Sequence, residues 1–167
     1  MNMTNLSKTQ KLVFSSMLMA LYIVILYFTQ SFSFGAYQIR IATSMYALSY
    51  FFPFLVFPLG LANFIANALF GGLGLLDMIG GCAVGIVTTY SIVLIKQGNL
   101  NKWLIALPII LVPGLGVSIW LSYLLNLPYT ALAMSLCIGQ IIPALVGVLL
   151  VKTLAPIICK TQKENLV

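Results

Sequence analysis

The chain has no histidine, and its only acids are Asp77 and Glu164. That removes Ser-His-Asp and Cys-His catalysis, paired-carboxylate acid–base chemistry and any His/carboxylate metal site. No metal or cofactor is expected. Charge of either sign is scarce: 6% of 167 residues, against about a quarter in soluble domains. A water-soluble enzyme is therefore disfavoured. The cysteines, Cys82, Cys137 and Cys159, form no CxxC pair and sit in or at the ends of apolar runs. They read as reduced, buried thiols, not as a disulfide frame.

What is present is apolar. Hydrophobic residues make up 62% of the chain, and the mean hydropathy is +1.11. The first run, Leu12–Phe28, is longer than a signal-peptide core and reads as a retained helix over about 12–29. The stretch Ala42–Leu69 carries no charge but contains Pro53 and Pro58. As one helix it would be roughly 42 Å long, too long for a bilayer core of about 30 Å without strong tilt. The prolines break the hydrogen-bond ladder, so the pattern predicts two short helices, 41–52 and 57–71. Such backbone at membrane depth must be covered by protein or line a cavity. Further spans are predicted at 78–95, 103–125 and 128–154, with a polar tail at 159–167. The fold class is thus an all-α polytopic membrane bundle of six transmembrane helices in one domain.

Basic residues set the orientation. With six spans, Lys8, Lys11, Lys96, Lys102, Lys152, Lys160 and Lys163 share one side, and only Arg40 lies opposite. Five spans would split the lysines. The positive-inside rule therefore favours six, with both termini cytoplasmic. The net charge of +6 reads as a topology signal and not as a nucleic-acid surface, because no basic stripe is interleaved with aromatics.

The polar residues left inside the apolar runs are the candidate site. Arg40 and Asp77 fall on the outer side, as a lone salt bridge or as part of a ligand site. Asn63 and Asn67 stand at i,i+4, on one helix face. Gln140 falls mid-membrane in the last span. Each amide is either a helix–helix contact or a cavity-lining group. Tyr37, Gln38, Tyr46, Trp120 and Tyr123 read mostly as interfacial belt residues, one or two able to stack on a planar ligand. Ser16 and Ala20 make a small-xxx-small pair, for internal packing or partner docking. Gly71-Gly72-Leu73-Gly74 lacks the GK[ST] ending of a P-loop, so the chain has no energy source of its own.

The segments Gly35-Ala36-Tyr37-Gln38-Ile39-Arg40-Ile41 and Ile65-Ala66-Asn67-Ala68-Leu69-Phe70-Gly71-Gly72-Leu73-Gly74-Leu75-Leu76-Asp77 resemble the QueT family. These are substrate-binding (S) components of energy-coupling factor transporters for queuosine precursors. The match, at Gln38, Arg40, Pro53, Pro58, Ala66, Asn67, Gly72, Gly74, Leu76, Asp77 and Gly81, spans about residues 10–155, with its specific part at 35–81. Where the family tends to have Ser-Glu-Ala after Arg-Ile, this chain has Ala42-Thr43-Ser44, so Thr43 takes the position of an acid.

The resemblance implies six helices and an outward-facing pocket built from the outer loops and helix ends. Together with the polar residues read above, the candidate binding set is Arg40, Asp77, Asn67, Gln38, Gln140, Asn63 and Thr43. The resemblance also implies docking through Ser16 and Ala20 to a transmembrane coupling subunit with two ATPase subunits. It places the chain in the cell membrane, where its ligand is a small molecule such as a 7-deazaguanine. The alternatives are an S component for another vitamin-like molecule and a stand-alone secondary transporter. The scarcity of acids speaks against the latter, and against a membrane enzyme.

Overall fold

A computed structural model describes residues 6–34, 37–71 and 73–164, with side chains to Ile158. Gly35, Ala36 and Gly72 of the motif lie outside the described residues, as do Val167 and the two residues before it.

Helix α1, Lys8–Phe28, starts at a capping box: Gln10 N donates to Ser7 Oγ (3.2 Å) and Ser7 N donates to Gln10 Oε1 (2.9 Å). It ends where the Thr29 hydroxyl bonds back to the Ile25 carbonyl at 2.8 Å. A single turn, α2 (Gln30–Ser33), follows. Next come a 3-10 helix, Ile41–Tyr50, and a short 3-10 turn, Pro53–Leu55. Pro58 then falls in the first turn of α3 (Val56–Ala66), where a missing N–H costs nothing. α3 loosens into a π-turn at Asn67–Gly71. The remaining helices are α4 (Leu75–Gln97), α5 (Ala106–Leu125, after a 3-10 turn at Lys102–Ile105), α6 (Tyr129–Gly139) and α7 (Ile141–Glu164). No strand occurs among the described residues.

Among the described residues, five helical stretches are long and apolar enough to cross a bilayer: Lys8–Phe28, Pro53–Gly71, Leu75–Gln97, Lys102–Leu125 and Tyr129–Ile158. The segment expected as the second helix is different in kind. Ten residues of 3-10 helix rise about 20 Å, short of the membrane core. Its side chains from Ala42 to Ala47 are all buried. It is the axial element of the bundle, packed by α1, α4 and α7. Small residues (Ala42, Thr43, Ser44, Ala47, Ser49) let the surrounding helices close on it. Gly60 and Gly85 do the same for α3 and α4: a Cβ on Gly85 would lie 3.0 Å from the Gly60 Cα.

The last span differs from expectation as well. Helix breaks at Gly139–Gln140 and then continues past Leu154 to Glu164. Lys160, Gln162, Lys163 and Glu164 are good helix formers, so much of the expected polar tail is helical.

One end of the bundle gathers lysine on aromatic faces. Lys11 Nζ lies 5.8 Å from the Phe54 ring centroid, Lys96 Nζ 5.0 Å from Tyr50, and Lys152 Nζ 3.8 Å from Trp103. Tyr50, Phe51, Phe52, Phe54 and Phe14 form a chain of edge-on and tilted rings there. Arg40 lies at the other end.

Candidate functional site

Arg40 precedes the axial 3-10 helix and is 7% exposed. Its guanidinium holds Asn63 of α3 and Asn67 at the start of the π-turn that follows. Nη1 donates to Asn63 Oδ1 at 2.8 Å, and Nη2 donates to Asn67 Oδ1. The i,i+4 spacing puts the two amides one turn apart, matching the reach of the guanidinium fork. Each amide then donates onward to α4: Asn63 Nδ2 to the Gly81 carbonyl (2.8 Å) and Asn67 Nδ2 to the Asp77 carbonyl (2.9 Å). A side chain on Gly81 would collide with Asn67, since its Cβ would fall 2.4 Å from Nδ2.

Asp77 sits in the first turn of α4, where the helix dipole favours a carboxylate. Its Oδ1 accepts from the Trp120 indole N–H at 3.0 Å. Of the two readings of this pair, the lone salt bridge does not form: the carboxylate bonds Trp120 and not Arg40. Asn67 links Arg40 to the α4 backbone instead, its oxygen accepting from the guanidinium and its nitrogen donating to the Asp77 main-chain carbonyl.

A second set of bonds ties the axial helix to the break in the last span. The Thr43 hydroxyl lies 2.7 Å from the Arg40 carbonyl and 2.9 Å from Gln140 Oε1. It has one proton and two acceptors in reach. Gln140 Nε2 donates to the Gln38 carbonyl at 3.1 Å. Gln38 has φ +43°, a left-handed conformation uncommon for a residue with a side chain. The loop around it presses on Gly139, where a Cβ would lie 1.7 Å from the Tyr37 carbonyl oxygen. Only glycine permits that approach.

Two further residues belong to this cluster. Tyr22 of α1 and Tyr46 are fully buried, stacked at 5.9 Å between centroids, with hydroxyls 3.3 Å apart. Tyr46 is therefore no interfacial belt residue. Tyr37 and Tyr123 are exposed, as a belt requires. Phe34 lies against the face of the Arg40 guanidinium, 4.8 Å from Cζ to the ring centroid.

The cluster encloses a small chamber of about 10 Å³, room for about one water, between Gln38, Arg40, Thr43, Tyr46, Asn63 and Gln140. Above it opens a vestibule of about 440 Å³, within the size range of small-molecule sites. Phe34, Gly71, Leu121 and Leu132 line it. Gln38 and Leu136 line both spaces and so separate them. Arg40 Nε is buried without a hydrogen-bond partner among the described residues. Arg40, Asn63, Asn67, Asp77, Thr43, Gln140 and Gln38 thus form one connected unit. Phe34, Tyr22 and the Asp77–Trp120 bond were not foreseen. The last two depend on contacts between helices distant in sequence, and the first on how the loop before Arg40 folds back.

Ser16 and Ala20 are both exposed on α1, away from this cluster, so they are not an internal seam in the chain by itself. Cys82 and Cys137 are free thiols, and the Cys159 side chain lies outside the described residues. No group of three or more potential metal ligands occurs among the described residues.

A family model described as QueT transporter matches residues 12–156. No curated protein and no solved structure matches the chain.

Proposed function

The chain belongs to the QueT transporter family, and on that premise we propose that it is the membrane-embedded substrate-binding subunit of an ATP-driven energy-coupling factor importer for a queuosine precursor. The observation that carries this reading is the buried Arg40–Asn63–Asn67 unit beside a chamber that shares Gln38 and Leu136 with the 440 Å³ vestibule. Five polar side chains and an arginine converge where an apolar bundle gains nothing from them, and polar groups at membrane depth are costly and functional.

In this reading the ligand body fills the vestibule between Phe34, Leu121 and Leu132. Its polar edge meets Gln38 at the floor and, once Gln38 and Leu136 give way, reaches Thr43, Gln140 and Arg40 around the chamber. Arg40 offers N–H donors to a ring carbonyl. Amide oxygens of Gln140 and Gln38 accept from ring N–H and amino groups. A 7-deazaguanine carries both kinds of group on one edge. Asp77 orients Trp120 from behind, and Asn67 transmits the Arg40 position to α4.

The vestibule faces outward, and the lysine-rich end faces the cytoplasm of the cell membrane. Seven of the eight basic residues then lie inside, which satisfies the positive-inside rule with the axial 3-10 helix counted as a short sixth traverse. No P-loop is present, so the energy comes from elsewhere. Ser16 and Ala20, small and exposed on α1, suit close approach by a helix of a transmembrane coupling subunit, which carries two ATPase subunits.

Reconstitution tests the reading. Vesicles holding the chain with its coupling subunit and ATPases take up a labelled 7-deazaguanine when ATP is supplied, and vesicles holding the chain alone do not. Uptake by the chain alone, driven by an ion gradient, contradicts the proposal and makes it a secondary transporter.

A further inference from the structure

The lysine-rich end carries a second cavity of about 520 Å³. Val13 and Met17 of α1 form one wall, Leu154 and Ile158 of α7 the other, and Leu48 and Phe52 the floor. The groove exists because α1 packs on α3 while α7 packs on the axial helix and α5, leaving the two apart at this end. Val13 and Met17 are 53% and 66% exposed, so the groove is open from the side.

Its mouth is cationic. Lys8 and Lys11 stand one turn apart at the start of α1 and are exposed. Lys11 Nζ lies over Phe54, and the Phe54 ring packs on Phe14 and Phe52 at the groove. The ammonium is thus anchored at the groove edge. The capping box engages the backbone N–H groups of Ser7 and Gln10, leaving those of Lys8 and Thr9 at the positive end of the helix dipole. Across residues 6–158 the one acid, Asp77, lies at the opposite end of the bundle.

Length and charge together select the occupant. From Leu6 to Met17 the groove runs about 16 Å, one leaflet of a hydrocarbon core about 30 Å thick. An extended acyl chain matches that length, and the two exposed lysines at the mouth call for an anionic head. We propose that the groove is a binding site for one anionic phospholipid, with an acyl chain between α1 and α7 and its phosphate on Lys8 and Lys11. This inference does not depend on the transport reading.

Native mass spectrometry of the full chain released from nanodiscs tests it. With phosphatidylglycerol, one lipid stays bound per chain. Phosphatidylcholine is retained at least tenfold less, because each lysine near the headgroup contributes about fivefold. Lys8→Ala with Lys11→Ala lowers phosphatidylglycerol retention at least tenfold. Val13→Trp fills the groove from an exposed position and removes the bound lipid, while Leu107→Trp on the exposed face of α5 leaves it. Circular dichroism checks that each variant is folded. Equal retention of the two lipids overturns the proposal, as does retention untouched by either the lysine pair or Val13→Trp. A chain that leaves the nanodisc as a dimer with an empty groove overturns it in favour of a second copy.

Discussion

Removing the Asn67 side chain isolates the link between the buried Arg40 guanidinium and the first turn of α4. Asn67→Ala deletes two bonds at once: the acceptor for Arg40 Nη2 and the donor to the Asp77 carbonyl. In a soluble core, a bond to a charged group is worth about 2 kcal/mol and a neutral one about 1, so the loss would be about 3 kcal/mol. Within a membrane the unfolded reference also finds partners, and interhelical bonds measure about 0.6–1.7 kcal/mol each. Two such bonds give about 1–3 kcal/mol. At about 2–4 °C per kcal/mol for a chain of this size, the midpoint falls by roughly 3–10 °C. Thermal unfolding of the detergent-purified protein, followed by tryptophan emission, reads this directly. Asn67→Asp keeps an acceptor for Arg40 but loses the donor to Asp77, so its midpoint falls between those of wild type and Asn67→Ala. A midpoint for Asn67→Ala within 1 °C of wild type refutes the reasoning, because Arg40 would then not be held by this amide.

Gly139→Ala places a methyl 1.7 Å from the Tyr37 carbonyl, so the Gln38 loop must move. Ligand dissociation, followed by stopped-flow fluorescence, is expected to speed up at least tenfold. Tyr22→Phe strips the Tyr46 hydroxyl of its partner beside the chamber. Calorimetry is expected to show binding weakened severalfold with the midpoint lowered by less than 3 °C. Ser16→Trp and Ala20→Trp, on exposed positions of α1, are expected to abolish ATP-driven uptake while leaving ligand affinity unchanged. Loss of binding in either would make that face part of the ligand site's support.

Much of this was legible in the sequence because the membrane leaves few choices. An amide or a charge inside an apolar run has to find a partner, so Arg40, Asn63, Asn67, Asp77 and Gln140 stand out from composition alone; Thr43 is marked only by the family resemblance, and the fold gathers all six. The i,i+4 spacing of the asparagines foretold their shared face. What they bond to was not legible. Asn67 bridging Arg40 to Asp77 depends on α3 meeting α4 at Gly81, a contact set by close backbone approach and not by any periodicity. Tyr46 read as an interfacial aromatic because its segment was taken for an ordinary helix, in which it falls near the outer end. The tighter 3-10 winding and axial position of Ile41–Tyr50 bury it instead. The break at Gln140 was hidden because Gly139 carries no local turn signal. Its role is to admit the Tyr37 carbonyl from a loop about a hundred residues away in sequence.

The central claim is that the Arg40 unit recognises a small heterocycle from the vestibule. Equilibrium binding of queuine and its precursors to the purified chain alone tests this most directly, with wild type measured beside Arg40→Ala and Asp77→Asn. The account predicts tight binding of a 7-deazaguanine by wild type, weakened at least tenfold, about 1.4 kcal/mol, in each variant that remains folded. Unchanged affinity in both folded variants would contradict it, because the ligand would then bind elsewhere on the molecule.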